Sequence, residues 1–431
     1  MIRPGAGPSA TLPLRYLLAA ALAFALAALG LPWLAGELAG HYYHPRVVAL
    51  THTVTLGWIT LTIMGASYQL IPIVLERPVW SERLARWQFV VLVTGIVGMV
   101  GHFFIAEWSG LAWSAALVGL GAAAHVTNAA LSVRGLRAWT FTARLVALAL
   151  AGLALTTLFG LALAADRVVK FLPGSFFPTL HAHFHLALLG WVLPIVIGVA
   201  ARVYPMFLLA PEPRGRPARL QLWGLALGVP AVVAGLLGVP ALVPAGALAV
   251  AAAVAGHLAW VVEMARGRRR PELDWGLRFA LTGAAFLVPA TLLGLGFALG
   301  LLEGPRVGLA YAVFALGGWA SLTIAGMMLK IVPFLVWYRV YAPLAGRAPV
   351  PTLAQLSWPA GERAAYALLT AGALALAVAG ASGDPGWIRA AGLVLAGGAV
   401  ALVATLGRVV HHMMPCAARH PAGAVPQANA R

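Results

Sequence analysis

Residues 52–72 read HTVTLGWITLTIMGASYQLIP, residues 185–205 read HLALLGWVLPIVIGVAARVYP, and residues 313–333 read VFALGGWASLTIAGMMLKIVP. Each copy holds a Gly-Trp pair: Gly57-Trp58, Gly190-Trp191 and Gly318-Trp319. Each has a Gly seven residues after the Trp (Gly65, Gly198, Gly326) and a Pro fourteen after it (Pro72, Pro205, Pro333). A polar residue stands three before each Pro: Gln69, Arg202 and Lys330. The copies are offset by 133 and 128 residues, so the chain is built three times over. Two copies open on a histidine, His52 and His185, where the third has Val313.

All three copies are apolar and too long for a soluble core strand. The whole chain is 61% hydrophobic and 10% charged, which excludes an ordinary soluble globule and reads as a polytopic membrane protein in a lipid bilayer. Apolar stretches able to cross a membrane fall near 12–34, 47–75, 87–106, 110–133, 143–165, 178–209, 220–239, 241–265, 277–302, 307–338, 362–381 and 386–410. The expected fold is therefore all-α, with twelve transmembrane helices in three pseudo-symmetric four-helix units at about 12–140, 141–270 and 275–412. These form a single transmembrane domain, 1–414. The first stretch lacks a small-residue cleavage site and reads as a span rather than a signal peptide. The 415–431 tail, rich in Pro, Ala and Gly, reads as disordered and cytoplasmic.

The formal net charge of +17 is topological in origin. Of 29 Lys and Arg residues, 22 lie at the termini and in loops after even-numbered spans; only Arg46, Arg167, Lys170, Arg306 and Arg389 follow odd-numbered ones. That asymmetry puts both termini in the cytoplasm, in keeping with a bacterial inner membrane. The run Arg266, Arg268, Arg269, Arg270 then faces anionic lipid, and no nucleic-acid partner is expected. The single cysteine, Cys416, excludes a disulfide framework and any cysteine-rich metal site.

Histidine inside a span is costly unless it is paired or ligating. His52 and His185 both lie near the outer ends of their spans, roughly 5–10 Å deep at about 1.5 Å per residue. Imidazole ligates haem iron and copper, and two such residues at equal depth on neighbouring inner helices suit an axial pair. Gly57 and Gly190 would let a flat macrocycle approach the backbone. The second copy is preceded by His181, and His183 lies two residues before His185. Residues two apart on a helix point to opposite sides, so His183 and His185 can serve separate sites, whereas His181 shares a face with His185. His102, His125 and His257 complete the intramembrane set as weaker metal candidates. His125 and His257 occupy matching places 67 and 66 residues after Trp58 and Trp191. His41 and His44 lie at the outer mouth beside Tyr42, Tyr43 and Arg46, as an interfacial belt or an anchor for propionates. Soft ligands recur in the His411-His412-Met413-Met414-Pro415-Cys416 tail.

The segment HFHLALLGW at 183–191, with Gly198 and Pro205 after it, resembles the tenth helix of the catalytic subunit of the haem-copper oxidases, nearest the cbb-type branch. Glu76–Leu84 resembles a loop of the same family. The resemblance implies twelve helices in three groups. It also implies that His185 holds a low-spin haem with His52, while His183 faces a high-spin haem. One or two haem b groups follow from it, with electrons drawn from a cytochrome c-type or quinol donor and with partner subunits. The chemistry implied is electron transfer, or reaction of oxygen or nitric oxide at haem. The chain departs from the family pattern in three ways. Its His-x-His pair lies in the sixth span, with Tyr311 and Val313 at the matching places of the tenth. The 220–239 span has no histidine, so the usual copper ligands are missing there and copper is left open. No Asp or Glu stands deep in a span. These departures leave open whether the chain is an enzyme. The alternative is a non-enzymatic haem or metal carrier, or a nitric-oxide-response protein, on the same scaffold.

Overall fold

A computed structural model describes residues 10–269 and 272–414; Arg270 of the basic run and the 415–431 tail, with Cys416, lie outside the described residues. Twelve long apolar helices follow one another: α1 (Thr11–Gly40), α2 (Pro45–Val74), α3 (Glu82–Ile105), α4 (Trp108–Val133), α5 (Phe141–Val169), α6 (Phe176–Leu208), α7 (Gly215–Leu237), α8 (Leu242–Arg266), α9 (Trp275–Ala298), α10 (Pro305–Val340), α11 (Pro359–Ser382) and α12 (Pro385–His411). Each is long enough to cross a bilayer core of about 30 Å. The protein is an all-helical integral membrane protein. Each of the twelve expected stretches corresponds to one helix, with ends that differ by up to six residues: 12–34 extends to Gly40, whereas 277–302 ends at Ala298.

Neighbours in sequence are neighbours in space, because the loops are short. α3 and α4, α7 and α8, and α11 and α12 form tight antiparallel pairs, and α12 packs against α1, which closes the outer row of helices. Glycine permits these approaches. A Cβ on Gly95 would meet the Val118 nitrogen at 2.7 Å, and one on Gly228 would meet the Gly246 oxygen at 2.8 Å. Small residues let transmembrane backbones touch, which supplies the van der Waals attraction that lipid cannot.

α2, α6 and α10 are the most buried helices, at 56, 72 and 78% of their apolar windows, against 50% or less for the others. They carry the three Gly-Trp copies. Each changes to π-helical hydrogen bonding at the motif: Thr53–Thr60, Leu186–Val192 and Val313–Ala320. In the first two, the π segment starts immediately after the histidine. π turns are rare and cluster at functional places.

The repeated glycines face the preceding helix. A Cβ on Gly57 would lie 3.0 Å from Ala23 Cβ of α1, and one on Gly318 would lie 1.9 Å from the Phe286 ring of α9. At the equivalent contact, Gly152 of α5 would drive a Cβ to 2.0 Å from the Gly190 oxygen. The second glycines repeat this: Gly65 meets Tyr16 on α1, Gly198 meets Leu145 on α5, and Gly326 meets the Gly276 oxygen on α9. On the faces where their side chains would stand, Gly57 and Gly190 lie against α1 and α5, which serves helix packing.

The repeated tryptophans tie the inner helices to one another. Trp58 donates from Nε1 to Ser321 Oγ of α10 at 3.1 Å, and Trp191 donates to Thr60 Oγ1 of α2 at 3.2 Å. Both acceptors stand two residues after a motif Trp. Leu193 holds the third such position, and its side chain offers no acceptor. All three indoles are buried. Such bonds contribute about 0.6 kcal/mol each in a membrane interior, so their main effect is to fix register.

Gly152→Ala forces α5 off the Gly190 carbonyl and should destabilise the protein by about 1–3 kcal/mol. Gly308→Ala, whose Cβ meets nothing within 4 Å, should be neutral or mildly stabilising. Thermal unfolding of both variants in detergent checks the contrast.

Candidate functional site

Below the Trp level the inner helices are sealed: every residue from Gly57 to Gly65 on α2 is buried. On the histidine side, only Val47 and Ala49 are buried between Pro45 and Leu56. α6 shows the same change, with few buried residues before Gly190 and mostly buried ones from there to Ala201. The histidines thus sit about 9 Å from the tryptophans along each helix, on a half-buried surface.

His52, His183 and His185 share one arrangement. Each ring places Nδ1 on a backbone carbonyl: His52 on Val48 at 2.9 Å, His183 on Thr156 of α5 at 3.0 Å, and His185 on His181 at 2.8 Å. A carbonyl can only accept, so Nδ1 carries the proton in each neutral ring. The Nε2 lone pair is left free for a ligand, which is the tautomer a metal needs.

The three rings face two different places. His183 lies against α5, where a Cβ on Gly160 would come within 3.0 Å of its Cε1. It is also within electrostatic range of His52, so that protonation of one ring would oppose protonation of the other. His52 itself stacks on Phe103 of α3, ring centres 5.0 Å apart. His185 turns the other way, stacked beside Tyr311 of α10 at 6.4 Å. The partner expected for His52 was His185; His183, on the other side of α6, is within electrostatic range of it. Position by position, His52 with His183 corresponds to His185 with Tyr311, and Val313 with Leu50 would be the third pair.

His102, His125 and His257 are dispersed. His102 bonds Ser114 at 3.0 Å and lies 3.7 Å from Glu107 near one end of α3. His125 is buried on α4 with Nδ1 3.4 Å from the Tyr68 hydroxyl, and His257 is buried on α8 beside Trp260. Among the described residues no group of three or more His, Cys, Asp or Glu side chains is placed to hold a metal ion. Lys330 pairs with Asp274 at 2.5 Å and lies over the Phe207 ring, and Arg202 pairs with Glu212.

The histidine ends of α2 and α6 adjoin a cleft of about 380 Å³ lined by Tyr43, Asp166, Arg167, Lys170 and Phe176 among others. Arg167 donates to the Tyr43 hydroxyl and stands over three rings, Tyr43, Trp108 and Phe176, at 5.0, 5.0 and 4.5 Å. Asp166 accepts from the Leu172 N–H at 2.7 Å, and Arg167 and Lys170 against this one carboxylate leave the cleft with a net positive charge. Burial pushes the Tyr43 phenol up, with the bond to Arg167 and its charge opposing. Tyr42 is pushed up by burial too, and its hydroxyl reaches His181 Nε2 at 3.1 Å. Sequence reading singled out Arg167 only as a loop charge. The aromatic side chains that cage it come from three separate places in the chain, with no local pattern to find.

Compared with known proteins, the chain matches no family model and no curated protein.

Arg167→Ala should cost about 1–2 kcal/mol through the lost ring contacts, whereas Lys170→Ala, exposed on the same cleft, should cost almost nothing. Thermal midpoints in detergent distinguish them.

Proposed function

We propose that the protein is a membrane haem protein on a scaffold like that of the haem-copper oxidase catalytic subunit. In this reading the twelve helices form three pseudo-symmetric units about an axis along the membrane normal, with both termini cytoplasmic in a bacterial inner membrane. The support is the threefold recurrence of the π segment, the glycine contacts and the Trp position. The charge asymmetry of the loops supports the orientation.

The observation that carries the haem reading is the shared tautomer of His52, His183 and His185, each held on a backbone carbonyl with Nε2 free. These residues fit a haem b. His52 and His183, from neighbouring inner helices, would be the residues that hold its iron. The cationic cleft would receive the anionic propionates, with Arg167 and Lys170 as their partners. Bound there, a haem supplies one-electron transfer. The protein's part is to orient the imidazoles, exclude water below the Trp level and neutralise the carboxylates above.

His185 would then face a second place, shared with Tyr311 rather than with a second histidine. His185 would be the one imidazole this chain offers to a haem there, and such a haem would supply binding of oxygen or nitric oxide. α7 contributes no histidine, so this reading assigns no copper ligand to it. That observation also favours the second reading, in which the scaffold carries haem or responds to nitric oxide without turnover. A cytochrome c-type or quinol donor and partner subunits belong to the oxidoreductase reading.

A reduced-minus-oxidised spectrum tests the proposal. The purified protein should show a sharp α band of a b-type cytochrome, lost in His52→Ala and in His183→Ala and retained, in whole or large part, in His185→Ala. Absence of haem from protein made with ample haem supply would sink it. Loss in His185→Ala with retention in His183→Ala would return the pairing to His52 with His185.

A further inference from the structure

The buried polar cluster of α2, α3 and α4 has a counterpart in α6, α7 and α8 that lacks its central hydroxyl. In the first, Tyr68 is buried and its hydroxyl donates to Gln88 Oε1. The same hydroxyl lies 3.4 Å from His125 Nδ1, so its oxygen accepts the imidazole proton. One O–H therefore joins an acceptor on α3 to a donor on α4.

Counting by the Trp offset of 133 residues, Gln88 becomes Gln221 and Tyr68 becomes Ala201. His125 becomes His257 at an offset of 132. Both polar residues survive and the tyrosine between them is gone. Gln221 is 0% exposed and His257 is 2% exposed. Gln221 Oε1 and His257 Nδ1 have no protein hydrogen-bond partner, and these are the two atoms whose equivalents meet Tyr68. Trp260 Nε1, one helical turn from His257, has no protein partner either. The backbones keep the same relation: residues 217–224 of α7 face 249–256 of α8, where a Cβ on Gly224 would meet Ala249 O and one on Gly256 would meet Leu220. α6 packs on α8 through Ala200, Tyr204 and Leu208 against Trp260, Val261 and Met264.

Leaving one such group unpaired is costly, and leaving three would be a large fraction of a protein's net stability. We propose that a buried water molecule replaces the tyrosine hydroxyl between α6, α7 and α8. It donates to Gln221 Oε1 and accepts from His257 Nδ1–H, as the phenol does in the first cluster. Its second lone pair is open to Trp260 Nε1–H. Water is the occupant because the site demands a donor and an acceptor on one atom, and Ala201 brings no hydroxyl to it. Two to four polar partners are what a buried water requires. This proposal is independent of haem.

A cryo-EM map of the full chain, fine enough to show ordered solvent, should contain a density peak within hydrogen-bond distance of both Gln221 Oε1 and His257 Nδ1. Direct bonding of the two side chains to each other, or an apolar side chain filling the space, would overturn the proposal. A second test compares Ala201→Tyr with Ala201→Phe. Both add the same ring, so any clash lowers both thermal midpoints alike and the hydroxyl alone sets the gap. Ala201→Tyr should melt above Ala201→Phe, and equal midpoints would contradict the account.

Discussion

The indole N–H of Trp58 on Ser321, and that of Trp191 on Thr60, lock α2 to α10 and α6 to α2 at a single level. The rest of the arrangement depends on that level. The glycine beside each Trp lets the preceding helix reach the backbone, so three outer helices are seated at the same depth. The π segments lie there as well, where the wider turn changes the facing of everything that follows. On one side the residues are sealed, and on the other they are half-open. The histidines stand on the half-open side, at a distance fixed by the six residues that separate them from the indoles.

A polar group within a bilayer must find a partner, and the molecule meets that demand by three routes. Backbone carbonyls take the Nδ1 protons of His52, His183 and His185, which leaves one nitrogen of each ring uncommitted. Side chains on adjacent helices satisfy Tyr68, Gln88 and His125 among themselves. Ion pairs neutralise Lys330 and Arg202 near helix ends. The first route differs from the others in leaving the second ring nitrogen of each histidine uncommitted.

The helices were legible from the sequence because twenty or more apolar residues in succession have few other folds available. The prominence of α2, α6 and α10 was legible from the motif, since only they carry Gly and Trp at repeated offsets. What the repeat meant for pairing was harder to read. Periodicity correctly put His183 and His185 on different sides of α6, yet it could not say which side faced α2. That depends on the sense in which the inner helices follow one another around the centre, a tertiary property with no local signature. Gly57 and Gly190 pose a related difficulty: a missing side chain signals close approach without saying what approaches. The acceptors of the Trp ring, Thr60 and Ser321, could have been found, as each stands two residues after a motif Trp.

The central claim is that His52 and His183, not His52 and His185, form the ligand pair of an iron between α2 and α6. An experimental density map of protein purified from haem-replete cells tests this most directly. The account predicts a planar macrocycle between α2 and α6, with Nε2 of His52 and of His183 on its two faces and its carboxylates towards Arg167. A map in which those two imidazoles pack on protein with no macrocycle between them, or in which the macrocycle joins His52 to His185, would contradict it.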